Sequence, residues 1–152
     1  MYSSDLLRAK NTAIPIAKSI NTKSINYTNH LRERNLGSAV GKSVQWLKDN
    51  IKKREEFIYD RCFDDAESRE DTWNRLYPFY KQIIENDEEN IIIVSHGDLL
   101  SLFFSMFLGR EINDLNNFNL SGISGGVSFL EIDNKSNHFI RQLNDLSYLT
   151  TH

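Results

Sequence analysis

At 152 residues the chain is long enough for one domain with a real hydrophobic core and too short for a multidomain assembly. Its net charge of -3, with acidic and basic residues interspersed, supplies no basic field for nucleic acid. Cys62 is the single cysteine, which excludes an internal disulfide and a multi-cysteine zinc site and suits a reducing compartment.

The chain opens on Tyr2-Ser3-Ser4-Asp5, which reads as the end of a strand running into helix-capping residues. Leu6, Leu7, Ala9, Ala13, Ile14, Ile16, Ala17 and Ile20 then recur with a helical period, bent or restarted at Pro15. From Ser19 to Asn29 the sequence is polar, with Ile25-Asn26-Tyr27 alternating as an edge strand would. Leu31 to Gly41 shows no period and contains Gly37 and Gly41, the composition of a loop with backbone demands. Ser43 is placed to cap a helix through Val44, Leu47 and Ile51 that continues into Lys52, Lys53, Arg54, Glu55 and Glu56. The charged stretch from Asp60 to Asp71 predicts a solvated excursion. Thr72 to Ile84 is amphipathic, with Trp73, Leu76, Tyr77, Tyr80, Ile83 and Ile84 at helical spacing and a kink expected at Pro78.

The organising stretch follows a polar turn at 86–90. Ile91, Ile92, Ile93 and Val94 form an unbroken β-branched run, the pattern of a strand covered on both faces in a parallel sheet. Gly97 breaks it, Asp98 is placed as a cap, and Leu99 to Leu108 is apolar almost all round, as a buried helix is. Gly109 ends that helix. The run is far shorter than the roughly twenty residues of a membrane span, and Met1 to Asp5 is neither basic nor apolar as a signal peptide would be. A soluble, cytoplasmic protein is expected. After a polar connection from Asn113 to Asn119, residues 127–132 and 138–143 flank Asp133-Asn134 as a C-terminal hairpin. Open α/β sheets bind ligands at the carboxyl ends of their strands, so His96 stands where chemistry is expected, beside a helix N-terminus that favours an anion.

Three segments carry a more specific pattern: Ser3-Ser4-Asp5-Leu6-Leu7-Arg8-Ala9-Lys10-Asn11-Thr12-Ala13, Leu31-Arg32-Glu33-Arg34-Asn35-Leu36-Gly37, and Val94-Ser95-His96-Gly97. With Ala66-Glu67-Ser68 ahead of Trp73 and Arg75, and in this order, they resemble the histidine phosphatase superfamily, the phosphoglycerate-mutase-like fold. The resemblance covers the chain from its first residues to about the hairpin. It implies a three-layer α/β/α domain over 1–152 with a mostly parallel sheet, and phosphoryl transfer through a phosphohistidine. It also implies that Arg8 clamps phosphate, that Glu33 is the general acid and then the base, and that His96, with Gly97 beside it, donates to the phosphoryl oxygens. Arginine suits such a clamp because its planar fork bonds two oxygens at once. Glu33 would need a raised pKa, which burial supplies and neighbouring Arg32 or Arg34 opposes. The expected partner is a small phosphorylated substrate or phosphate, with no nucleic acid, no membrane, no cofactor and no metal.

The family's nucleophilic histidine belongs to an Arg-His-Gly motif at the end of its first strand, and no Arg-His-Gly occurs in this sequence. By the resemblance the domain is therefore incomplete, without the phosphate acceptor and without a strand from the middle of the sheet. It is expected to be inactive as an isolated chain, and its unpaired sheet edges to invite pairing with another copy. Asn11 stands where the family commonly has glutamine, and residues 37–41 replace an acidic-aromatic-acidic filling, a departure on the substrate side. The compact sequel to Leu31-Arg32-Glu33 favours a phosphatase over a mutase. The competing reading is a non-catalytic phosphate-binding or protein-interaction module derived from the family. An α/β-hydrolase with Ser95 as nucleophile fails because Ile93 occupies the first glycine position of G-x-S-x-G. His30, His138 and His152 are expected on the solvated surface, Cys62 as a partly buried apolar residue, and Trp73, Tyr77 and Tyr80 in the core.

Overall fold

The computed structural model describes residues 1–51 and 55–149. The described elements run β1 (Tyr2–Ser4), α1 (Leu7–Ser19), β2 (Asn26–Thr28), α2 (Val44–Asn50), α3 (Arg69–Ile84), β3 (Ile93–Val94), α4 (Gly97–Phe107), β4 (Val127–Ile132) and β5 (His138–Asp145), joined by short 3-10 turns. This is the expected α/β fold with a parallel sheet. Its strand order is β2-β1-β3, with Tyr2 paired to Asn26 on one side and to Ile93 on the other. β4 and β5 form a separate antiparallel hairpin.

All three residues of β1 are buried, as the middle strand of the three requires. The run at 91–94 behaves differently from its sequence pattern. Only Ile93 and Val94 are strand, neither is fully buried, and Ile92 is 36% exposed. β3 has β1 on one side and no further strand on the other among the described residues, so it lies at the sheet edge, with Ile91 and Ile93 packed against the main core.

Helix α1 keeps Pro15 inside it, but its buried stripe is Ala9, Ala13 and Ala17, while Leu7 and Ile14 face solvent. Side chains four apart share a face, and three alanines let α1 approach β1 and β3 closely. Helix α3 starts earlier than its apolar pattern suggests. Ser68 and Asp71 form a reciprocal capping box, and Asp71 lies in the first turn. Trp73, Leu76, Phe79 and Ile83 point inward, whereas Tyr77, expected in the core, is 47% exposed.

The main core joins Tyr2, Leu31, α3 and α4. Tyr2 meets Phe79 edge-on at 5.4 Å, and Tyr80 meets Phe103 edge-on at 5.6 Å while donating to the Met106 carbonyl at 3.0 Å. These rings tie α3 to β1 and to α4 with geometry as well as area. Helix α4 is buried along nearly its whole length and ends at Gly109, whose φ of 67° suits glycine.

The stretch from Asp60 to Asp71 is not a solvated excursion. Ile58, Cys62, Phe63 and Ala66 are buried, and the last three close a second small core with Ala39, Leu36, Trp46 and Leu47. Its charges are consumed locally: Asp60 accepts from the Glu56 and Phe57 amides at 3.0 Å, and Arg61 pairs with Asp71 and the Ala66 carbonyl. Ser43 caps α2 as expected, accepting from the Trp46 amide at 3.1 Å; the expected continuation through Lys52, Lys53 and Arg54 lies outside the described residues, as does His152.

Candidate functional site

The site forms where β1 and β3 end. Ser4 closes β1, and His96 occupies the N-cap position of α4 just past β3. Arg8, in the first turns of α1, reaches across 88 positions of sequence so that its Nε lies 3.1 Å from His96 Nδ1. On the ring's other side, His96 Nε2 is 2.9 Å from Ser4 Oγ. A guanidinium only donates hydrogen bonds, so Nδ1 is the acceptor and Nε2 carries the hydrogen that it donates to Ser4. The neutral imidazole is thereby fixed in one tautomer. Burial, with the Arg8 and Arg75 guanidiniums adding to it, pulls His96 down to about 4. The ring is 8% exposed.

Asp98, expected as the cap of α4, does not cap it. Glu33 does so from the loop after β2. Its carboxylate accepts from the Leu99 amide at 3.1 Å and the Asp98 amide at 3.3 Å, and from its neighbour Arg34 at 3.1 Å. A carboxylate at a helix N-terminus meets orphan N–H groups and the positive end of the helix dipole. Even so, burial pushes the Glu33 carboxyl above its ordinary value; Asp98 adds to the rise while these backbone bonds oppose it. Glu33 is therefore a carboxyl with an elevated proton affinity next to the helix start that carries His96.

Two further residues hold this arrangement, and sequence reading named neither as a site residue. Ser4 fixes the imidazole, as described. Arg75 of α3 donates to the carbonyls of Asn29, His30, Arg32 and Glu33 at 3.0–3.4 Å and to both oxygens of Glu67 at 2.9 Å. It thus braces the loop that presents Glu33. Ser4 lies inside the Ser-Ser-Asp segment and Arg75 follows Ala66-Glu67-Ser68, so the signals existed, but only as neighbours of residues with more evident chemistry. Ser95 adds a tie, donating to the Leu31 carbonyl at 2.8 Å.

Gly97 opens α4 against the backbone of residue 122: a Cβ there would sit 2.8 Å from the Gly122 carbonyl oxygen. Arg8, Glu33, His96 and Gly97 thus all converge on the start of α4. His30 and His138 do not join them, and neither is a free surface histidine. The Nδ1 of each lies 2.6 Å from a backbone carbonyl, that of Arg75 for His30 and that of Phe107 for His138. Cys62 is buried in the small second core. Among the described residues no group of three or more His, Cys, Asp or Glu side chains is placed to hold a metal ion, and no helix is long and apolar enough to cross a membrane.

Comparison with known proteins gives this geometry a context. The model of the histidine phosphatase superfamily (branch 1) matches residues 1–145. A metal-independent phosphoserine phosphatase of Arabidopsis thaliana is 32% identical over 114 residues, 68% of this chain and 46% of that protein. The chain therefore spans about half the length of the curated relative it matches. Among solved structures, a mycobacterial glucosyl-3-phosphoglycerate phosphatase in complex with inorganic phosphate superposes with a TM-score of 0.76 at 18% identity, covering 95% of this chain and 76% of that one. An alpha-ribazole phosphatase from Shigella flexneri gives 0.67 at 20% identity, covering 95% and 72%. At such identities these two likenesses speak for the fold.

Proposed function

We propose, for a chain that belongs to the histidine phosphatase superfamily, that the start of α4 binds the phosphoryl group of a small phosphomonoester, with a phosphatase outcome favoured over a mutase. The observation that carries this reading is the Arg8–His96 contact, 3.1 Å across 88 positions, with Glu33 bonded to the same helix start. A phosphoryl group entering between Arg8 and His96 exchanges one neutral nitrogen acceptor for anionic oxygens, a stronger partner for a guanidinium. The anion also raises the proton affinity of His96, so that it binds as a donor. Gly97, without a side chain, lets α4 begin against the Gly122 backbone beside this site. With a phosphoryl acceptor in place, phosphorus bonds to that acceptor as the ester phosphorus–oxygen bond breaks. Glu33, protonated, gives its proton to the leaving oxygen, and it then takes one from the water that releases phosphate. The reading needs no metal and no cofactor.

The phosphoryl acceptor is the part this sequence does not provide, since it contains no Arg-His-Gly. We infer that the isolated chain binds phosphate without turnover. Phosphate titration followed by amide NMR, together with p-nitrophenyl phosphate hydrolysis, tests both statements. Binding weakened tenfold or more in Arg8→Met, with no steady hydrolysis, is expected. Steady hydrolysis abolished by His96→Ala overturns the inactivity, and phosphate affinity unaffected by Arg8→Met overturns the site.

A second reading, a non-catalytic module that pairs with another copy, is supported by the divided sheet. β3 ends the parallel sheet, β4 and β5 stand apart from it, and Val127 and Phe129 of β4 are exposed. Strand edges of this kind invite pairing. Light scattering giving a monomer at high concentration would remove it. The lone cysteine supports a cytoplasmic setting.

A further inference from the structure

Asp5 and Arg32 flank the phosphoryl site without a part in the chemistry proposed for it. β1 and β2 run side by side as far as Ser4 and Thr28. Past that last pair, the hydrogen bonds that join the two segments among the described residues are those between Arg32 and Asp5. Arg32 Nε donates to Asp5 Oδ1 at 2.6 Å, and its Nη2 donates to Oδ2 at 2.7 Å. A two-bond fork of this kind fixes the orientation of its partners as well as their separation. The same bonds hold the Asp5 carboxyl below its ordinary value and the Arg32 guanidinium above its own.

The positions of the two residues in the chain give the pair its meaning. Asp5 follows Ser4, whose Oγ lies 2.9 Å from His96 Nε2 and accepts from the Leu6 amide at 3.3 Å. Arg32 precedes Glu33, whose carboxylate takes the Asp98 and Leu99 amides. Those amides belong to the helix whose N-cap is His96. The contacts therefore close a ring that runs from the imidazole through Ser4, Asp5, Arg32 and Glu33 to the start of α4 and back. Two other anchors hold the loop that carries Glu33. Ser95, just past β3, donates to the Leu31 carbonyl, and Arg75 of α3 donates to the carbonyls of Arg32 and Glu33. Neither anchor bonds Ser4 or Asp5. With Arg32 released, the loop is free to pivot on them, and the Glu33 carboxyl loses its fixed relation to the Ser4 hydroxyl. The side chains are 51% and 24% exposed, so the pair adds little to stability.

We propose that the Asp5–Arg32 ion pair is a positioning device that couples the Glu33 carboxyl to the His96 imidazole, acting through Ser4 and Glu33 rather than on the phosphoryl group. The proposal rests on the phosphoryl-binding reading of this site, and the test separates the two. Were the side chains to act as bare charges beside an anion, loss of the Asp5 carboxylate would tighten phosphate and loss of the Arg32 guanidinium would weaken it. Coupling gives both losses the same sign. Amide NMR titration with inorganic phosphate, with calorimetry alongside, compares the parent chain, Asp5→Asn, Arg32→Gln and the double variant. Each single substitution is expected to weaken phosphate roughly three- to tenfold, as for residues in one hydrogen-bond network, and the double variant no further than the weaker-binding single. Each is also felt at the far end of the ring without phosphate. Asp5→Asn should shift the Leu99 amide proton, and Arg32→Gln should speed solvent exchange of the His96 Nε2 proton. Tm should stay within about 4 °C of the parent, as for an exposed pair; a larger fall would make the pair a structural strut and overturn the coupling. The proposal also falls if Asp5→Asn binds phosphate as tightly as the parent or more so, if the two losses multiply in the double variant, or if either far-end signal keeps its parent value. If the parent and Arg8→Met bind phosphate equally, the phosphoryl reading fails, and the two far-end signals alone decide the coupling.

Discussion

Removal of the Arg75 guanidinium should cost the fold about 3 kcal/mol and loosen the site at the same time. Its six bonds reach four backbone carbonyls and both oxygens of Glu67, at 2.9–3.4 Å. Burial, the largest single influence, would raise Glu67, yet the Arg75 bonds and charge together with the Asn35 amide outweigh it and hold its carboxyl below the ordinary value. In Arg75→Leu that carboxylate stays half-buried without its cation. Breaking a fully buried pair costs roughly 3–5 kcal/mol, and the 21% and 24% exposure of these side chains puts this one at the lower end. For a chain of this size about 3 kcal/mol corresponds to a fall of roughly 6–12 °C in Tm. Guanidinium unfolding followed by the fluorescence of Trp73 on α3 reads the loss. Arg75→Lys should restore about half at most, since an ammonium lacks the planar fork that spans carbonyls and carboxylate together. In Arg75→Leu the His96 imidazole should titrate higher, because one of the cations depressing it is gone. A loss below 1 kcal/mol, or a lysine variant as stable as the parent, would refute the bracing role.

His96 makes stability depend on pH. The unfolded imidazole takes up its proton near 6.5 and the folded one only near 4, so the folded state loses stability as pH falls through that window and levels off below it. The full shift corresponds to roughly 3 kcal/mol. Against His96→Gln, the parent should therefore lose about 2–3 kcal/mol more between pH 7.5 and 4 in urea unfolding; parallel profiles would contradict the neutral, Ser4-bonded ring. Gly97→Ala places a methyl 2.8 Å from the Gly122 carbonyl oxygen and should cost about 1–3 kcal/mol through forced displacement of that backbone, measured by calorimetry. An unchanged Tm would mean that the approach is slack.

What could be read from the sequence was what local pattern encodes. Helix α4 announced itself because a segment apolar all round can only be buried, and the hairpin because its strands flank a turn. Arg8, Glu33, His96 and Gly97 converge as the order of their motifs suggested. Failures came where the environment is set by distant chain. Residues 91–94 carry the composition of an interior strand but lie at the edge of the sheet. The buried face of α1 is its alanines because contact with the sheet rewards closeness over bulk. Charges between Asp60 and Asp71 looked solvated because sequence cannot show that their partners lie within reach. Asp98 fits a cap by type and position, yet a carboxylate from a loop 65 positions earlier takes that place.

That distant cap bears on how the molecule assembles. The first amides of α4 receive their acceptor from Glu33, 66 positions upstream, and the N-cap His96 offers none from its own side chain. In the unfolded chain the helix start is therefore unpaired, and its order must await closure of a long loop, with the entropic cost that closure carries. The proton-donating group and the helix that bears the imidazole become ordered in one step, so a partly folded chain with a half-built site has little to stabilise it. Late consolidation of this kind predicts that mutations at Glu33 act mainly on the unfolding rate.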